Sequence, residues 1–140
     1  MKQLKKIMLV CLSMILMMSF VAIPVQAAVA DDTVQPRWDN TAIIELTLTF
    51  SEDGIGCASA FIGGQPGTTN IEASVYIYRK SGLFWRYVDE SHSSTTAMTG
   101  VLNCTFNATQ GTEYKAEYTF TVTKSGTDET ITKTQYRTYE

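Results

Sequence analysis

His92, the single histidine of the chain, is the first candidate for catalysis, because a serine or cysteine nucleophile needs a base within hydrogen-bond reach. It lies between Ser91 and Ser93 and closely follows Asp89 and Glu90. These are the residue types of a Ser-His-Asp triad, but no nucleophile-elbow sequence accompanies them. We therefore interpret His92 as a solvated histidine in a polar loop and predict no catalytic residue.

Carboxylate pairs are the second possible source of chemistry. Adjacent residues of a strand point to opposite faces, so neither Asp89-Glu90 nor Asp128-Glu129 can converge on a glycosidic bond as a glycosidase requires. Glu52-Asp53 offers too few oxygens for calcium. Two cysteines and one distant histidine cannot complete a four-ligand zinc site. The sequence predicts no metal, no cofactor and no enzymatic activity.

Cys57 and Cys104 are the only cysteines after the first 27 residues. In an exported protein such a pair is more often a disulfide than two free thiols, and closing a loop of about 47 residues would stabilise the fold by roughly 4 kcal/mol. The two residues fall on the second and fifth predicted strands. We predict a disulfide within one sheet; the alternative is two buried thiols that act as small apolar residues.

Aromatic residues form the one candidate recognition feature. Tyr76 and Tyr78 alternate on one predicted strand, and Trp85 and Tyr87 share a face of the next, after a turn at Ser81-Gly82. If the two faces coincide, the four rings make a platform that can stack on sugar rings or anchor a protein partner. The alternative is cross-strand pairing that only stabilises the hairpin. These four residues are our candidate ligand-binding residues.

The first 27 residues have the pattern of a secretory signal peptide. A basic head with Lys2, Lys5 and Lys6 precedes the apolar run Ile7–Pro24, and Val25-Gln26-Ala27 supplies small residues at peptidase spacing. We predict cleavage after this segment and a secreted, extracellular product. The alternative is a membrane anchor, because about 18 apolar residues approach the lower limit for a spanning helix.

The charge balance limits the partners of the exported chain. The leader holds three of the eleven basic residues and none of the fourteen acidic ones, so eight against fourteen remain, a net charge of −6. An acidic surface opposes sequence-independent binding to nucleic acid and docking on anionic membranes. We predict no nucleic-acid partner and no membrane contact after cleavage, whereas the oligomeric state is left open.

The elements that must position these residues follow from the apolar spacing. Residues 28–40 are polar and predict a flexible N-terminal arm, and residues 41–140 show period-two alternation with turn residues at every break. The predicted strands are Thr41–Ser51, Ile55–Ile62, Asn70–Arg79, Leu83–Glu90, Ala97–Ala108, Thr112–Thr123 and Glu129–Tyr136. The polar segment Ser91–Thr96 is predicted to be a connection. This pattern predicts an all-β domain, an antiparallel seven-stranded sandwich like those of immunoglobulin and fibronectin type III domains.

Several short motifs resemble a family of small exported proteins from Gram-positive bacteria. The resemblance rests on Pro36-Arg37-Trp38-Asp39-Asn40-Thr41, Gly67-Thr68-Thr69-Asn70-Ile71, Val75-Tyr76-Ile77-Tyr78-Arg79-Lys80, Trp85-Arg86, Gly111-Thr112-Glu113-Tyr114, and Gly126 with Glu129. It covers the whole mature chain. Because that family is a domain of unknown function, the resemblance implies export and a β-fold but no activity and no catalytic residue.

Taken from the sequence, the leading hypothesis is a non-catalytic extracellular binding module for a glycan, a cell-wall component or a protein. The alternative is a structural or stress-envelope exported protein without a specific ligand. A small secreted enzyme is the third and weakest hypothesis, because the chain supplies no cluster of reactive groups.

Overall fold

The computed structural model describes residues 38–140, and its regular structure there consists of seven strands. The strands are β1 (Thr41–Phe50), β2 (Ile55–Gly64), β3 (Thr68–Ser81), β4 (Phe84–Thr95), β5 (Thr99–Asn107), β6 (Glu113–Lys124) and β7 (Thr127–Thr138). The predicted leader, 1–27, and residues 28–37 of the predicted arm lie outside the described residues. Within the described range no helix has the length and hydropathy needed to cross a membrane.

The strands pair into two sheets in which every neighbour is antiparallel. The order is β1-β2-β5 in the three-stranded sheet and β4-β3-β6-β7 in the four-stranded sheet. The two sheets pack face to face around one core, with three strands in one layer and four in the other. The prediction of an all-β, seven-stranded, fibronectin-III-like sandwich is therefore confirmed.

Strand β6 shows why the alternating pattern produces this core. Tyr114, Tyr118 and Phe120 point inward and are at most 1% exposed, whereas Lys115 and Glu117 between them point to the outer face. Alternation of this kind buries one face of a strand and leaves the other for solvent. The inner faces of the other strands complete the core with Leu48, Ala58, Ala60, Ile62, Ile71, Ala73, Val75, Ile77, Leu102, Cys104, Phe106 and Ile131.

Side chains of the four-stranded sheet attach the free edge of β1. Gln135 Nε2 donates to the Leu46 carbonyl at 3.2 Å, and Arg137 Nη1 donates to the Leu48 carbonyl at 2.9 Å. Unpaired carbonyls on an edge strand are a site for unwanted strand pairing. These bonds satisfy carbonyl groups of β1 and join the two sheets along that side.

Two tight turns set the strand registers. At the β6–β7 hairpin, Ser125 and Gly126 have φ of 52° and 75°, the pair of positive angles that a type I′ turn requires. At the β3–β4 hairpin, Ser81 pairs with Phe84, so Gly82 and Leu83 form the turn. The predicted turn at Ser81-Gly82 was one residue early, and the correct register places Leu83 at the tip.

The segment before β1 is held by one carboxylate of β7. Glu129 accepts hydrogen bonds from the backbone amides of Asp39, Asn40 and Thr41 at 2.7, 3.1 and 3.0 Å, and from the Thr41 hydroxyl at 2.8 Å. Burial alone would raise the pKa of Glu129, but these hydrogen bonds outweigh it and lower the pKa. Glu129 therefore fixes the start of the domain.

Asn40 completes this attachment. Its side-chain amide donates to the carbonyls of Val122 and Thr127, both at 2.9 Å, and the residue is 7% exposed. The described end of the predicted flexible arm, residues 38–40, therefore belongs to the folded domain.

Strand β4 is longer than the sequence predicted. The segment Ser91–Thr96 was expected to be a polar connection, but β4 continues to Thr95, and His92 pairs with Ser74 of β3. The pattern failed here because β4 is an edge strand with little apolar surface to cover. Ser91 and Ser93 lie on its inner side in the half-exposed rim, where hydroxyl groups are tolerated.

The predicted disulfide is not formed, and both cysteines carry free thiols. The prediction of neighbouring strands was right, because β2 pairs with β5. The register, however, places Cys57 opposite Thr105 and Cys104 opposite Ala58. A shift of one residue turns the two side chains to opposite faces of the sheet. Cys104 therefore lies in the core, and Cys57 lies half-buried on the outer face.

Candidate ligand-binding face

The four candidate aromatic residues lie on one face, the outer face of the four-stranded sheet. Tyr78 pairs with Tyr87, while Trp85 pairs with Lys80 and Tyr76 pairs with Glu90 in the same ladder. The register shifts by one residue between Ile77 and Tyr78. Because an extra residue resets the alternation of β4, the rings before the bulge and Glu90 after it point the same way.

A fifth ring that the sequence analysis missed joins them from β7. Tyr136 pairs with Lys115, and its ring centroid lies 5.7 Å from that of Trp85. A signal was available in the sequence: counting outward from the type I′ turn at Ser125-Gly126 places Tyr136 opposite Lys115. We call Tyr76, Tyr78, Trp85, Tyr87 and Tyr136 the outer cluster.

The outer cluster is not a flat platform. Tyr78 and Tyr87 meet edge to face, with centroids 6.3 Å apart and an interplanar angle of 81°. Tyr87 and Tyr136 are the most exposed of the rings, at 56% and 60%. The surface of the outer cluster is therefore a ridge with exposed ring edges and faces, and it is not a single flat stacking surface.

Lys115 organises the centre of the outer cluster. Its Nζ lies 4.4 Å from the centroid of Tyr78 and 5.3 Å from that of Trp85, and 2.6 Å from a carboxylate oxygen of Glu117. The ammonium interacts with both ring systems through cation–π attraction, and its side chain is only 13% exposed. The rings are thus pre-positioned, and the positive charge is neutralised locally.

The Tyr87 hydroxyl is available for hydrogen bonding. Desolvation by its neighbours, followed by the carboxylates of Glu90 and Asp89, raises the pKa of Tyr87. The hydroxyl is protonated at neutral pH because even the ordinary pKa of tyrosine is about 10. It makes no hydrogen bond to the described residues, and a ligand can meet it as a donor or an acceptor.

Beyond Tyr76 the same face changes from aromatic to hydroxyl-rich. Tyr76 meets the ring of His92 edge to face at 5.7 Å, and a shallow open depression begins there. The outward-facing polar residues that line it are Glu72, Ser74, His92, Ser94, Thr119 and Thr121. The outer face thus places exposed rings beside a row of hydrogen-bonding groups.

The geometry does not assemble the triad that the residue types around His92 suggest. His92 is on the outer side of β4, whereas Ser91 and Ser93 are on its inner side, and the nearest carboxylate oxygen, from Glu90, is 3.5 Å from Nε2. Within residues 38–140, no three His, Cys, Asp or Glu side chains form a possible metal site. What this face offers is stacking and hydrogen bonding.

The candidate carboxylate pairs are also separated. Asp89 and Glu90 occupy opposite faces of β4 as predicted. Asp128 accepts a hydrogen bond from the Thr123 hydroxyl at 2.6 Å, whereas Glu129 is engaged with the segment before β1. Neither pair brings two free carboxylates to one surface, as acid and nucleophile of a glycosidase would need.

No protein-family model matches this chain, and no curated protein matches it either. Among solved structures, a β-glucuronidase from Parabacteroides merdae aligns with a TM-score of 0.47 at 13% identity, over 71% of this chain and 14% of the β-glucuronidase. The protein BhCBM56 aligns with a TM-score of 0.37 at 14% identity, over 71% of this chain and 98% of its own. The sporulation control protein Spo0M from Bacillus subtilis aligns with a TM-score of 0.36 at 10% identity, over 71% of this chain and 48% of its own. At these scores and identities, none of the three bears on the function of this chain.

Proposed function

We propose that the protein is a non-catalytic extracellular binding module that recognises a glycan on the outer face of its four-stranded sheet. The observation that carries this proposal is the pairing of the outer cluster with the hydroxyl-lined depression on one continuous surface. The extracellular location rests on the leader pattern of the first 27 residues.

A sugar chain fits both parts of this surface. The C–H faces of pyranose rings pack against aromatic rings, and their hydroxyl groups need many donors and acceptors at short spacing. Tyr87 and Tyr136 supply exposed rings, while Ser74 and His92 supply polar groups four residue pairs from Tyr87 along the β3–β4 ladder, and Glu72 lies six pairs from it. A protein partner would use the same rings as anchors but has less need of the row of hydroxyl groups.

A second hypothesis is that the protein is a structural or stress-envelope component without a specific ligand. One observation favours it: Lys115 already occupies the centre of the outer cluster, with Tyr78 and Trp85 around its ammonium. Cross-strand aromatic and cation–π contacts of this kind stabilise a sheet in the absence of any ligand.

The two hypotheses predict different results for single substitutions. The unit Pro36–Glu140 is compact and contains all seven strands, so it is the material to test. Tyr87→Ala removes an exposed ring and should abolish retention on a glycan array or on insoluble cell-wall polysaccharide, while unfolding free energy changes by less than about 1 kcal/mol. Trp85→Ala should do the same, with a larger effect on stability because that ring is half-buried.

Phe61→Ala is the matched control. Phe61 is an aromatic residue 36% exposed on the outer face of the three-stranded sheet, so its removal should leave glycan retention unchanged. Loss of retention in Tyr87→Ala but not in Phe61→Ala supports the binding module. If the outer-cluster variants lower the melting temperature and every ligand hit survives, the rings are structural and the second hypothesis holds.

A further inference from the structure

We propose that the tip of the β3–β4 hairpin, residues 79–86, docks on a lipid surface that carries anionic headgroups. Leu83 and Phe84 are 93% and 72% exposed, the highest values among the large apolar side chains of the described residues. A single exposed leucine is ordinary. Two adjacent apolar residues at the apex of a tight hairpin form a compact projection with no neighbouring side chains to cover them.

The strand registers explain why these residues cannot fold back onto the core. The pairing of β3 with β6 ends at Arg79, whereas the pairing of β3 with β4 continues to Ser81 and Phe84. The hairpin therefore extends beyond the neighbouring strand. Gly82, with φ of 62°, closes the turn in two residues, which leaves Leu83 at the outermost point.

Cations surround the apolar tip. Arg79, Lys80 and Arg86 lie within eight residues that contain no carboxylate. Glu113 neutralises Lys80 at 2.6 Å, but Arg79 and Arg86 face each other in the ladder, and neither forms an ion pair with a described residue. Two cations with free guanidinium groups complement anionic headgroups. Trp85, on the opposite face of the hairpin, is a residue type that favours the membrane–water interface.

The negative net charge of the chain predicted no docking on anionic membranes. The expectation for the hairpin tip differs because the charges are unevenly distributed over the domain. Of the acidic residues at this end of the sandwich, Glu113 pairs with Lys80, whereas Glu52 and Asp53 lie in the β1–β2 turn. The Tyr139 hydroxyl donates to the Glu52 carbonyl at 3.3 Å, which places that turn beside the end of β7. Strand β6 separates β7 from the hairpin, so the turn that carries Glu52 and Asp53 is set apart from Arg79 and Arg86.

Vesicle co-sedimentation tests this docking directly. The unit Pro36–Glu140 is used because the apolar run Ile7–Pro24 of the full chain would enter bilayers by itself. At low salt we expect about ten-fold more protein on vesicles of phosphatidylglycerol and phosphatidylcholine than on phosphatidylcholine alone. Leu83→Ser/Phe84→Ser should lose about ten-fold of this binding, and Arg79→Gln/Arg86→Gln should lose the preference for anionic lipid.

Met98→Ser/Val101→Ser is the matched control, because these side chains are 47% and 56% exposed near or on β5, on the other sheet. The control should bind as the parent does. Absence of vesicle binding, equal binding to both lipid mixtures, or equal loss in the control would overturn the proposal. So would a protein ligand whose capture depends on Leu83 and Phe84 while vesicles are not bound.

The glycan proposal and the lipid proposal fail separately. Trp85 belongs to both surfaces, so the lipid test leaves it unchanged. The lipid test also leaves Tyr87 unchanged, because that residue belongs only to the glycan surface. A tip variant that loses vesicles and keeps glycan retention supports the docking site alone, and the converse result supports the glycan surface alone. Circular dichroism and melting curves of each variant exclude misfolding as the cause.

Discussion

The four-stranded sheet carries aromatic rings on both faces, and the two sets differ in solvent exposure and in hydrogen bonding. The inner cluster consists of Tyr114, Tyr118 and Phe120, each at most 1% exposed. The outer cluster has two rings more than half exposed. The residue types are similar, so the difference arises from strand parity alone: adjacent positions of one strand point to the core or to solvent.

The hydroxyl groups show the same contrast. The Tyr118 hydroxyl donates to the Thr47 carbonyl, and the Tyr114 hydroxyl accepts from the amide of Thr109 at 2.8 Å. Burial, followed by the influence of Cys57 and Cys104, raises the pKa of Tyr118 far above its ordinary value. The hydroxyl groups of the outer cluster make no such bonds to the described residues. The hydroxyl groups of Tyr114 and Tyr118 are therefore hydrogen-bonded within the fold, whereas those of the outer cluster are not bonded to the described residues.

The largest expected difference in unfolding free energy is between the truncation of an inner ring and the truncation of an outer ring. Phe120→Ala removes a fully buried side chain and leaves a cavity, so it should lower the unfolding free energy by about 3–5 kcal/mol. Tyr136→Ala, at 60% exposure, should change it by less than about 1 kcal/mol. Urea denaturation of both variants measures the contrast. Equal losses would mean that the outer cluster supports the fold as much as the inner one does.

Two carboxylates, one hydrogen-bonded within the fold and one exposed, should show a smaller difference in their contribution to stability. Glu129→Gln keeps the shape of the side chain but replaces charge-assisted hydrogen bonds to the segment before β1 with neutral ones. The unfolding free energy should fall by about 1–3 kcal/mol at pH 7. Glu45→Gln, an exposed change on β1 without a side-chain hydrogen bond, should have little effect.

The pH dependence gives the sign of the Glu129 contribution. Its pKa is lower in the folded state than the ordinary value of 4.5. The stability that it adds is therefore complete above about pH 4.5 and is lost as the pH falls through the folded pKa. The difference between the parent and Glu129→Gln should narrow below that pH in urea titrations. A difference that stays constant down to pH 2 would show that the charge is not what holds the segment.

The alternating strands could be predicted because their inner residues are apolar. Period-two alternation puts Tyr76 and Tyr78 on the face opposite Val75 and Ile77, and the parity of this strand is unambiguous because β3 is central. The predicted end of the edge strand β4 was too early because Ser91, which points inward at the rim, is not an apolar residue. Burial determines the pattern, so strands with little burial carry little pattern.

The composition of the candidate site depends on the register between strands, and residue spacing within a single strand carries no information about that register. The shared face of Tyr78 and Tyr87 follows from the register of the β3–β4 hairpin, and the contact of Trp85 with Tyr136 spans β3 and β6 between them. Only the two-residue turn at Ser125-Gly126 gave a register that could be counted from the sequence. The depression around His92 was not predicted because the polar segment that contains His92 was expected to be a connection and not part of β4.

The cysteines give the smallest effect on stability and the sharpest test of register. The one-residue offset leaves Cys104 in the core and Cys57 on the outer face of the three-stranded sheet. Burial, followed by Asp89 and Cys57, raises the pKa of Cys104 to about 11, so its reactive thiolate is scarce at pH 8. In the native unit Pro36–Glu140, a thiol reagent such as 5,5′-dithiobis(2-nitrobenzoic acid) should modify Cys57 readily and Cys104 only after denaturation.

Cys57→Ser is the matched variant for this assignment. It should remove the fast reaction and change the unfolding free energy by less than about 0.5 kcal/mol, as surface substitutions do. Two equally reactive thiols would contradict the burial of Cys104. A mass increase of about two hydrogens on reduction, with no thiol reacting before it, would mean that the strands pair in a different register. Because one residue of register reverses every side chain of a strand, that result would also move the rings of β2 and β5 between the core and the surface.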